Sequence, residues 1–246
     1  MLRIAFVTSV LPPTPQAQEI QTLFNRIAPA YDRLNDWLSL GQHRIWKQMA
    51  VKWSGAAVGA VCLDLCCGSG DLSRLLARQV GITGQVYGVD FSAAQLAIAK
   101  QRAEQSVRPL AITWVEADAL NLPFGANQFD AATMGYGLRN VLDIPRSLNE
   151  LHRVLKPGAK AAILDFHRPA NPAMWAFQQW YLDTIVVPAA ESLGLKEEYI
   201  YISPSLDRFP SGTEQVDLAR QAGFVNVVHY PIAEGMMGVL VAQKPS

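Results

Sequence analysis

The sequence predicts an α/β protein built around one doubly wound, mostly parallel sheet of seven strands. The apolar run 61–66 breaks at Gly68-Ser69-Gly70 into a polar helix start, the strand, glycine turn and helix of such a sheet. The next apolar run ends in Asp90, about 20 residues past the turn. Strand and helix patterns then alternate along the chain. Ligands of these sheets lie beyond the carboxyl ends of the strands, so the turn predicts a nucleotide site.

Composition limits the class of protein. The 246 residues suit one α/β domain, and 21 basic against 21 acidic residues leave no net charge to attract nucleic acid. Half of the residues are hydrophobic, but no run reaches the ~18 apolar residues of a membrane span. Cys62, Cys66 and Cys67 lack metal-ligand spacing, and we expect them to be buried packing residues in a reducing cytoplasm. Residues 1–10 resemble a short signal sequence without a clear cleavage site and are interpreted as a frayed tail.

Each predicted element has its own signal. Short apolar runs predict strands, and apolar residues at three- or four-residue spacing predict helices. The sequence Leu155-Lys156-Pro157-Gly158 predicts a helix stop before the fifth strand. The predicted strands are 61–66, 85–90, 111–115, 129–134, 159–166, 225–230 and 237–242, and the predicted helices are 72–80, 93–105, 144–155 and 215–222.

Two segments fall outside this alternation and are predicted to bind the substrate. We divide the single domain, 1–246, into an N-terminal helical cap (16–54), a cofactor-binding core (55–168), a helical lid insertion (169–212) and a C-terminal helix with strands (213–246). On this division, the core should fold and bind its cofactor without residues 1–54.

The residues around the glycine turn favour a cationic ligand over an anionic one. A pyrophosphate would use the positive helix N-terminus, where Asp71 would repel it, and position 73 is Ser instead of a third glycine. S-adenosylmethionine carries an ammonium and a sulfonium, so Asp64 and Asp71 would attract it, while Asp90 suits the ribose hydroxyls. A dinucleotide dehydrogenase and a purely structural turn are the alternatives.

Two longer motifs carry a family resemblance. Residues 31–47 closely resemble one signature of the ubiquinone/menaquinone biosynthesis C-methyltransferases, and Gly137-Leu138-Arg139-Asn140-Val141 resembles the second. The resemblance covers residues 24–243 and implies a class I, Rossmann-like S-adenosylmethionine-dependent methyltransferase with an antiparallel final strand. It also implies C-methylation of a prenylated quinol ring. Segments 164–169 and 201–210 resemble the phylloquinone branch of oxygenic phototrophs, which implies conversion of demethylphylloquinol to phylloquinol. Ser69 and Ala159 stand where many relatives have Thr and Gly.

The resemblance assigns cofactor contacts to residues with suitable chemistry. Ser69 offers a hydroxyl at the turn formed with Gly68 and Gly70, and Asp90 can bridge two ribose hydroxyls. The predicted cofactor-binding residues are Asp64, Gly68, Ser69, Gly70, Asp90, Asp118, Ala119 and Gly135. In this set Asp118 and the Ala119 amide would recognise adenine, and Gly135 would let the methionine portion approach the backbone. The alternative for Asp118 is a loop cap before Leu120.

Methyl transfer to carbon requires an electron-rich ring in line with the sulfonium. A quinol ring gains that density when its hydroxyl loses a proton, which calls for a base or a cation beside the oxygen. We predict that Arg139, at the pocket rim, stabilises the phenolate and that Asn140 orients the ring oxygen or a water. The resemblance points to the same pair together with Tyr31. The alternative is that Arg139 caps a helix and pairs with Asp143.

The four histidines differ in context. His167 follows the fifth strand, where it could bind a quinol oxygen or act as base, or else have a structural role in a turn. His43 could cover the substrate or cap its helix. His152 is predicted to be solvated, and His229 structural. We predict no metal site, because no histidine has a ligand at usable spacing.

Aromatic residues in the lid suit the lipophilic tail of the quinol. Trp175 and Tyr181 are the predicted contacts, on a helix after Pro172 that also carries Met174, Phe177, Trp180 and Ile185. A face of this kind is more often core, and we favour that interpretation over a lipid groove. Peripheral membrane contact and a homodimer are further expectations.

Alternatives of other classes remain open. A nucleic-acid methyltransferase is disfavoured because Gly135-Tyr136-Gly137 lacks the Asn/Asp-Pro-Pro-aromatic turn, and no nucleic-acid partner is expected. A demethylmenaquinol or ubiquinone-precursor methyltransferase is the nearest alternative. A non-catalytic organiser of a quinone-biosynthesis complex would keep the same fold.

Overall fold

A computed structural model describes residues 22, 39, 41–191 and 202–246 of the chain. Within these residues a seven-stranded sheet has the order β3-β2-β1-β4-β5-β7-β6. Neighbouring strands are parallel except at β7, which is antiparallel to both β5 and β6. The predicted fold class is confirmed, including the antiparallel final strand. The strands are β1 (Val61–Leu65), β2 (Gln85–Asp90), β3 (Ile112–Glu116), β4 (Phe129–Gly135), β5 (Leu155–Phe166), β6 (Val225–Ile232) and β7 (Met237–Gln243).

Helices connect the strands, and their starts are capped as the sequence allows. Ser92 accepts a hydrogen bond from the Gln95 amide, and Ser211 forms a capping box with Glu214. The helices are α1 (His43–Trp53), α2 (Asp71–Val80), α3 (Ala93–Glu104), α4 (Ile144–Val154), α5 (Pro172–Tyr181), α6 (Val187–Glu191), α7 (Ile202–Arg208) and α8 (Gly212–Gln221). A π-helical stretch, Leu182–Val186, joins α5 to α6, and short 3₁₀ helices lie at Leu138–Asn140 and Ala233–Gly235.

The fifth strand begins earlier than predicted. Leu155 already pairs with Phe129 of β4, whereas the prediction started the strand at residue 159. The register shifts before Ala131 pairs with Lys160. Gly158 lies in this irregular part with φ of +78°, a conformation that glycine adopts without steric cost. The Pro-Gly pair therefore marks a bulge inside the strand and does not mark its start.

The hydrophobic core lies on both faces of the sheet. Cys62 and Leu63 belong to opposite clusters because successive side chains of a strand point to opposite faces. The α1 helix belongs to the cluster on the Cys62 face, where Ala50 and Val51 are buried. The Trp53 ring also lies 4.7 Å from the Tyr230 ring of β6, centroid to centroid. Deletion of residues 1–54 would expose this apolar surface, which argues against the expectation that the core folds without them.

Candidate active site

The glycine turn between β1 and α2 has the backbone that its residues predict. Gly68 and Gly70 have φ of +52° and +82°. A Cβ on Gly70 would lie 2.7 Å from Trp114 Cη2, and one on Gly88 would lie 2.6 Å from Trp114 Cζ3. Gly70 and Gly88 therefore have to lack a side chain, because the Trp114 indole of β3 packs directly against both. Sequence reasoning missed Trp114, because an apolar residue in a strand carries no signal of its partner.

Asp64 lies on β1 beneath the turn and is fully buried. The Ser73 hydroxyl donates to Oδ2 at 2.6 Å, and the Thr133 hydroxyl donates to Oδ1 at 2.9 Å. Burial raises the pKa of Asp64 to about 7, although both hydroxyl hydrogen bonds act in the opposite direction. A cation close to Asp64 would favour the ionised carboxylate, which fits the predicted sulfonium ligand. Ser73 occupies the position where a dinucleotide fingerprint has its third glycine.

Asp90 connects the carboxyl ends of β1 and β2. Its Oδ2 accepts from the Gly68 amide at 2.8 Å, and its Oδ1 accepts from the Ser92 amide at 2.9 Å. Burial raises its pKa, while these amide hydrogen bonds lower it. The carboxylate therefore holds the glycine turn and the start of α3 together at the position predicted for the ribose.

Four carboxyl groups lie close enough to the Cys66 thiol for their charges to act on it. Burial raises the pKa of the Cys66 thiol well above its usual value, and Asp90, Asp64, Asp165 and Asp118 raise it further through their charges. Cys62 and Cys67 are buried as predicted, Cys66 is only partly buried, and all three thiols are free. Arg139 compensates the charge of Asp165, so Asp64, Asp90 and Asp118 are the acids that favour a positively charged ligand over a pyrophosphate.

Asp118 makes the loop-cap contact that was the alternative to a role in binding adenine. Its Oδ1 accepts from the Leu120 amide at 2.9 Å, which is a loop cap, and the residue is exposed. The neighbouring Ala119 is buried. Their predicted contacts with adenine stay predictions.

Asp71 pairs with two cationic side chains of the protein. Its Oδ2 lies 2.6 Å from the Lys47 ammonium, and its Oδ1 pairs with Arg74. Burial opposes its ionisation, but Lys47 and Arg74 outweigh burial and hold its pKa below the usual range. Because two cations of the protein already contact Asp71, its carboxylate is not the open acid that the sequence suggested, and its attraction for the cofactor cation stays a prediction.

The loop after β4 packs tightly against the glycine turn. A Cβ on Gly135 would lie 2.6 Å from Leu72 Cδ1, and one on Gly137 would lie 2.5 Å from Cys66 Cβ. Leu72 of α2 therefore occupies the direction that a side chain at position 135 would take, and the predicted approach of the methionine portion to the Gly135 backbone stays a prediction. Tyr136, between the two glycines, has φ of +59°, and Cys66 has φ of +53°. Such backbone strain in non-glycine residues concentrates at functional sites.

Arg139 is buried in an ion pair and does not lie open at a pocket rim. Its Nη1 lies 2.7 Å from Asp165 Oδ1, and the two side chains are 7% and 4% exposed. Asp165 Oδ2 also accepts from the Arg139 amide at 3.1 Å. The guanidinium carbon lies 5.0 Å from the Phe166 ring centroid. The alternative pairing with Asp143 is wrong, because Asp143 caps α4 through the Arg146 amide.

Asn140 lies beside Arg139 on the same carbonyl group. Asn140 Nδ2 and Arg139 Nη1 both donate to the Tyr136 carbonyl oxygen, at 3.0 and 3.2 Å. Because a carbonyl only accepts, this contact fixes the amide with Oδ1 directed away from it. Asn140 Oδ1 is buried and has no hydrogen-bond partner within the described part of the chain. The structure thus places a buried, unused acceptor beside the predicted catalytic arginine.

His167 is held by neighbours on both ring nitrogens. Nε2 lies 3.1 Å from Gln215 Nε2, which can only donate, so the ring nitrogen accepts. Nδ1 lies 3.3 Å from the Arg168 carbonyl, and the ring lies 4.5 Å from that of His229. Burial lowers the pKa of His167 and lowers that of His229 to about 4. These contacts support the structural alternative for His167.

The other two histidines also have packing partners. His43 begins α1, is buried, and its Nδ1 lies 2.7 Å from the Ser39 hydroxyl oxygen. The His152 ring meets the Phe224 ring edge-on at 5.0 Å. The prediction that His152 is solvated is wrong, because α4 packs against the loop that follows α8. In residues 41–191 and 202–246 no group of His, Cys, Asp and Glu side chains could hold a metal ion.

The lid helix α5 presents aromatic side chains to solvent. Phe177 and Trp180 of α5 are 46% and 52% exposed, and Ile185 of the following π-helical stretch is 44% exposed. The core interpretation is therefore wrong for these three residues. Trp175 lies under the Arg168 guanidinium at 4.7 Å, and Tyr181 lies parallel to Phe177. Tyr31, the remaining predicted catalytic residue, lies outside the described residues. No helix among those described is long and apolar enough to cross a bilayer.

Sequence reasoning missed several residues of this site. Asp165 could have been found as an acidic residue near the carboxyl end of a predicted strand, but its arginine partner is 26 residues away. Lys47 lies in the recognised motif without a charge pattern that would identify Asp71 as its partner. Ser73 and Thr133 give no distinctive signal, because hydroxyl residues are common throughout such strands and helices.

Comparison with known proteins identifies the family to which the chain belongs. The chain is 73% identical over 226 residues, 92% of its length, to the 2-phytyl-1,4-naphtoquinone methyltransferase of Nostoc punctiforme, of which the match covers 98%. It is 52% identical to the chloroplastic 2-phytyl-1,4-beta-naphthoquinone methyltransferase of Arabidopsis thaliana, with coverage of 93% of this chain and 88% of that protein. The structure of a SAM-dependent methyltransferase from Aquifex aeolicus superimposes with a TM-score of 0.60 at 18% identity, over 86% of this chain and 97% of that one. Residues 14–244 match the model of the ubiE/COQ5 methyltransferase family. The chain therefore belongs to the ubiE/COQ5 methyltransferase family.

Proposed function

We propose that this protein transfers a methyl group from S-adenosylmethionine to a ring carbon of demethylphylloquinol, a naphthoquinol with a largely saturated C20 tail. The observation that carries the proposal is the pair formed by Arg139 and Asn140, both held on the Tyr136 carbonyl, with Asn140 Oδ1 left as a buried acceptor. The pair places donors and a buried acceptor where two strands of the sheet end. The names of the similar proteins support the naphthoquinone ring and the phytyl tail.

The residues at the edge of the sheet can prepare the ring for attack on an electrophilic methyl group. S-adenosylmethionine supplies that methyl group on a sulfonium. Asn140 Oδ1 would accept a hydrogen bond from a quinol hydroxyl, which orients the ring. The Arg139 guanidinium would stabilise the phenolate that forms when this hydroxyl gives its proton to water. The ring carbon would then take the methyl group with release of S-adenosylhomocysteine, and the proton displaced from that carbon would pass to water as the aromatic ring is restored. Because Asp165 balances the charge of Arg139, this stabilisation depends on directed N–H groups more than on net charge. His167 has no base role in this proposal, since Gln215 occupies its accepting nitrogen.

The exposed aromatic face of the lid supports peripheral contact with a membrane, where a quinol with a C20 tail partitions. Aromatic side chains favour the interface between lipid and water. Replacing Phe177, Trp180 and Ile185 with Ser should weaken cosedimentation with anionic vesicles. The matched control replaces Val58, Ile82 and Val107, which are exposed elsewhere, and should bind like the wild type. Equal binding by both triple variants would rule out this face as the contact. The expected homodimer stays a prediction.

A substrate panel tests the proposed function. Purified protein is incubated without oxygen with labelled S-adenosylmethionine and the reduced forms of demethylphylloquinone, demethylmenaquinone and a benzoquinol precursor of ubiquinone. We expect the fastest methylation on demethylphylloquinol. Faster turnover on either other quinol would assign the protein to that alternative. Tight cofactor binding without methylation of any quinol would support the non-catalytic organiser.

A further inference from the structure

Helix α1, in the N-terminal cap, carries a buried lysine that lies beside the glycine turn. The Lys47 side chain is 7% exposed, and its ammonium donates to Asp71 Oδ2 at 2.6 Å. The same nitrogen lies 5.7 Å from the centroid of the Tyr136 ring. An ammonium has three N–H donors, and Asp71 is the one hydrogen-bond partner of Lys47 within the described residues. The remaining donors lie between the glycine turn and the loop after β4.

The charges at this point do not cancel. Asp71 carries one negative charge, whereas Lys47 and Arg74 each carry a positive charge and both contact its carboxylate. The start of α2 therefore has a surplus of one positive charge, and the positive end of the helix dipole adds to it. Asp64 and Asp90, which contribute negative charge, lie on strands β1 and β2 and contact the same segment through Ser73 and the Gly68 amide.

A zwitterion fits this arrangement of charges. The amino-acid end of S-adenosylmethionine carries an ammonium and a carboxylate on one carbon atom, so it needs an acidic and a basic group on neighbouring sides. We propose that the Lys47 ammonium binds the carboxylate of the cofactor. This proposal rests on the proposed function, and it gives the cap helix a direct part in cofactor binding as well as in covering the substrate.

The test compares two cofactors that differ in the carboxylate alone. Decarboxylated S-adenosylmethionine keeps the ammonium and the sulfonium but lacks the group that Lys47 would bind. By calorimetry, the wild type should bind S-adenosylmethionine roughly tenfold to a hundredfold more tightly than the decarboxylated form. Lys47→Met should remove most of this difference by weakening the affinity for S-adenosylmethionine. Lys52→Met, on an exposed part of the same helix, is the matched control and should keep the wild-type ratio.

A variant of Asp71 separates this proposal from a purely structural role of Lys47. Asp71→Asn leaves more of the Lys47 charge uncompensated, so affinity for S-adenosylmethionine should stay constant or rise. It should fall if Asp71 binds the cofactor ammonium, and such a fall would overturn the proposal. Equal affinity of the wild type for the two cofactors would also overturn it, even if Lys47→Met fails to fold. Absence of binding of either cofactor to the wild type would overturn the proposed function as well.

Discussion

Replacing Arg139 should damage both turnover and stability, and a second substitution should separate the two effects. Arg139 and Asp165 form an ion pair 2.7 Å long whose side chains are 7% and 4% exposed. Arg139→Ala leaves the Asp165 charge buried without its cation, which costs about 3–5 kcal/mol of folding free energy. At roughly 2–4 °C per kcal/mol for a domain of this size, the melting temperature should fall by about 6–20 °C.

The effect on catalysis follows from the loss of the group that stabilises the phenolate. For Arg139→Ala, kcat and kcat/KM should fall together by ~10²–10³, as when one oxyanion donor is removed. Arg139→Lys should recover only part of the rate, because an ammonium lacks the planar grip of a guanidinium. Raising the pH should partly rescue Arg139→Ala, since more quinol then ionises in solution.

The double variant Arg139→Ala/Asp165→Asn decides between catalysis and packing. The Asp165→Asn substitution removes the unpaired buried charge, so most of the lost stability should return while the rate stays low. Single-turnover methylation and thermal unfolding should be measured on the same preparations, with rates expressed per folded molecule. A normal rate for folded Arg139→Ala, or recovery of the rate together with stability in the double variant, would refute the catalytic role.

Four further predictions concern the cofactor site and the fold. Asp90→Ala should weaken cofactor binding by at least tenfold in calorimetry, because the ribose loses a charge-assisted acceptor and the glycine turn loses its support; unchanged affinity would remove Asp90 from the site. The pKa of Asp64 is about 7 instead of 3.8, which contributes up to roughly 4 kcal/mol of folding stability to the unliganded protein. This stability is fully present below pH 3.8 and is lost as the pH rises through about 7. Urea unfolding of Asp64→Asn should not show this loss of stability with rising pH. The pKa of His229 is lowered to about 4 from 6.5, so its effect on stability has the opposite pH dependence. It contributes about 1–2 kcal/mol of folding stability after allowance for solvent screening, present above pH 6.5 and lost as the pH falls through about 4. If the free energy of unfolding of His229→Gln changes with pH as it does in the wild type, this assignment is contradicted. Deletion of residues 1–54 should give aggregated or partly unfolded protein by size-exclusion chromatography and circular dichroism, because α1 completes the core; a monodisperse, cooperatively melting product would show that the core folds without α1.

The local signals in the sequence predicted the elements well. Strand β2 and the ends of α2, α4 and β7 lie at or within a residue or two of the predicted positions, because hydrophobic periodicity, caps and breakers act over a few residues. The predicted start of β5 was wrong, because a bulge lets the strand continue past a Pro-Gly pair when the neighbouring strand β4 supplies the pairing partner. The prediction that the apolar face of α5 belongs to the core was wrong, because an aromatic pattern at helical spacing looks the same whether the face contacts a core or solvent.

The sequence by itself determined the α/β class, the position of the glycine turn and the chemical types of the residues around it, because these depend on neighbours along the chain. Tertiary structure decided which charges remain available. Asp71 was expected to be an open acid but is neutralised by Lys47 and Arg74, and Arg139 was expected to be an open cation but pairs with Asp165. The physical reason is that the charge a ligand meets depends on groups within a few ångströms in space, and folding brings together the partners of the Lys47–Asp71 and Arg139–Asp165 ion pairs from positions 24 and 26 residues apart.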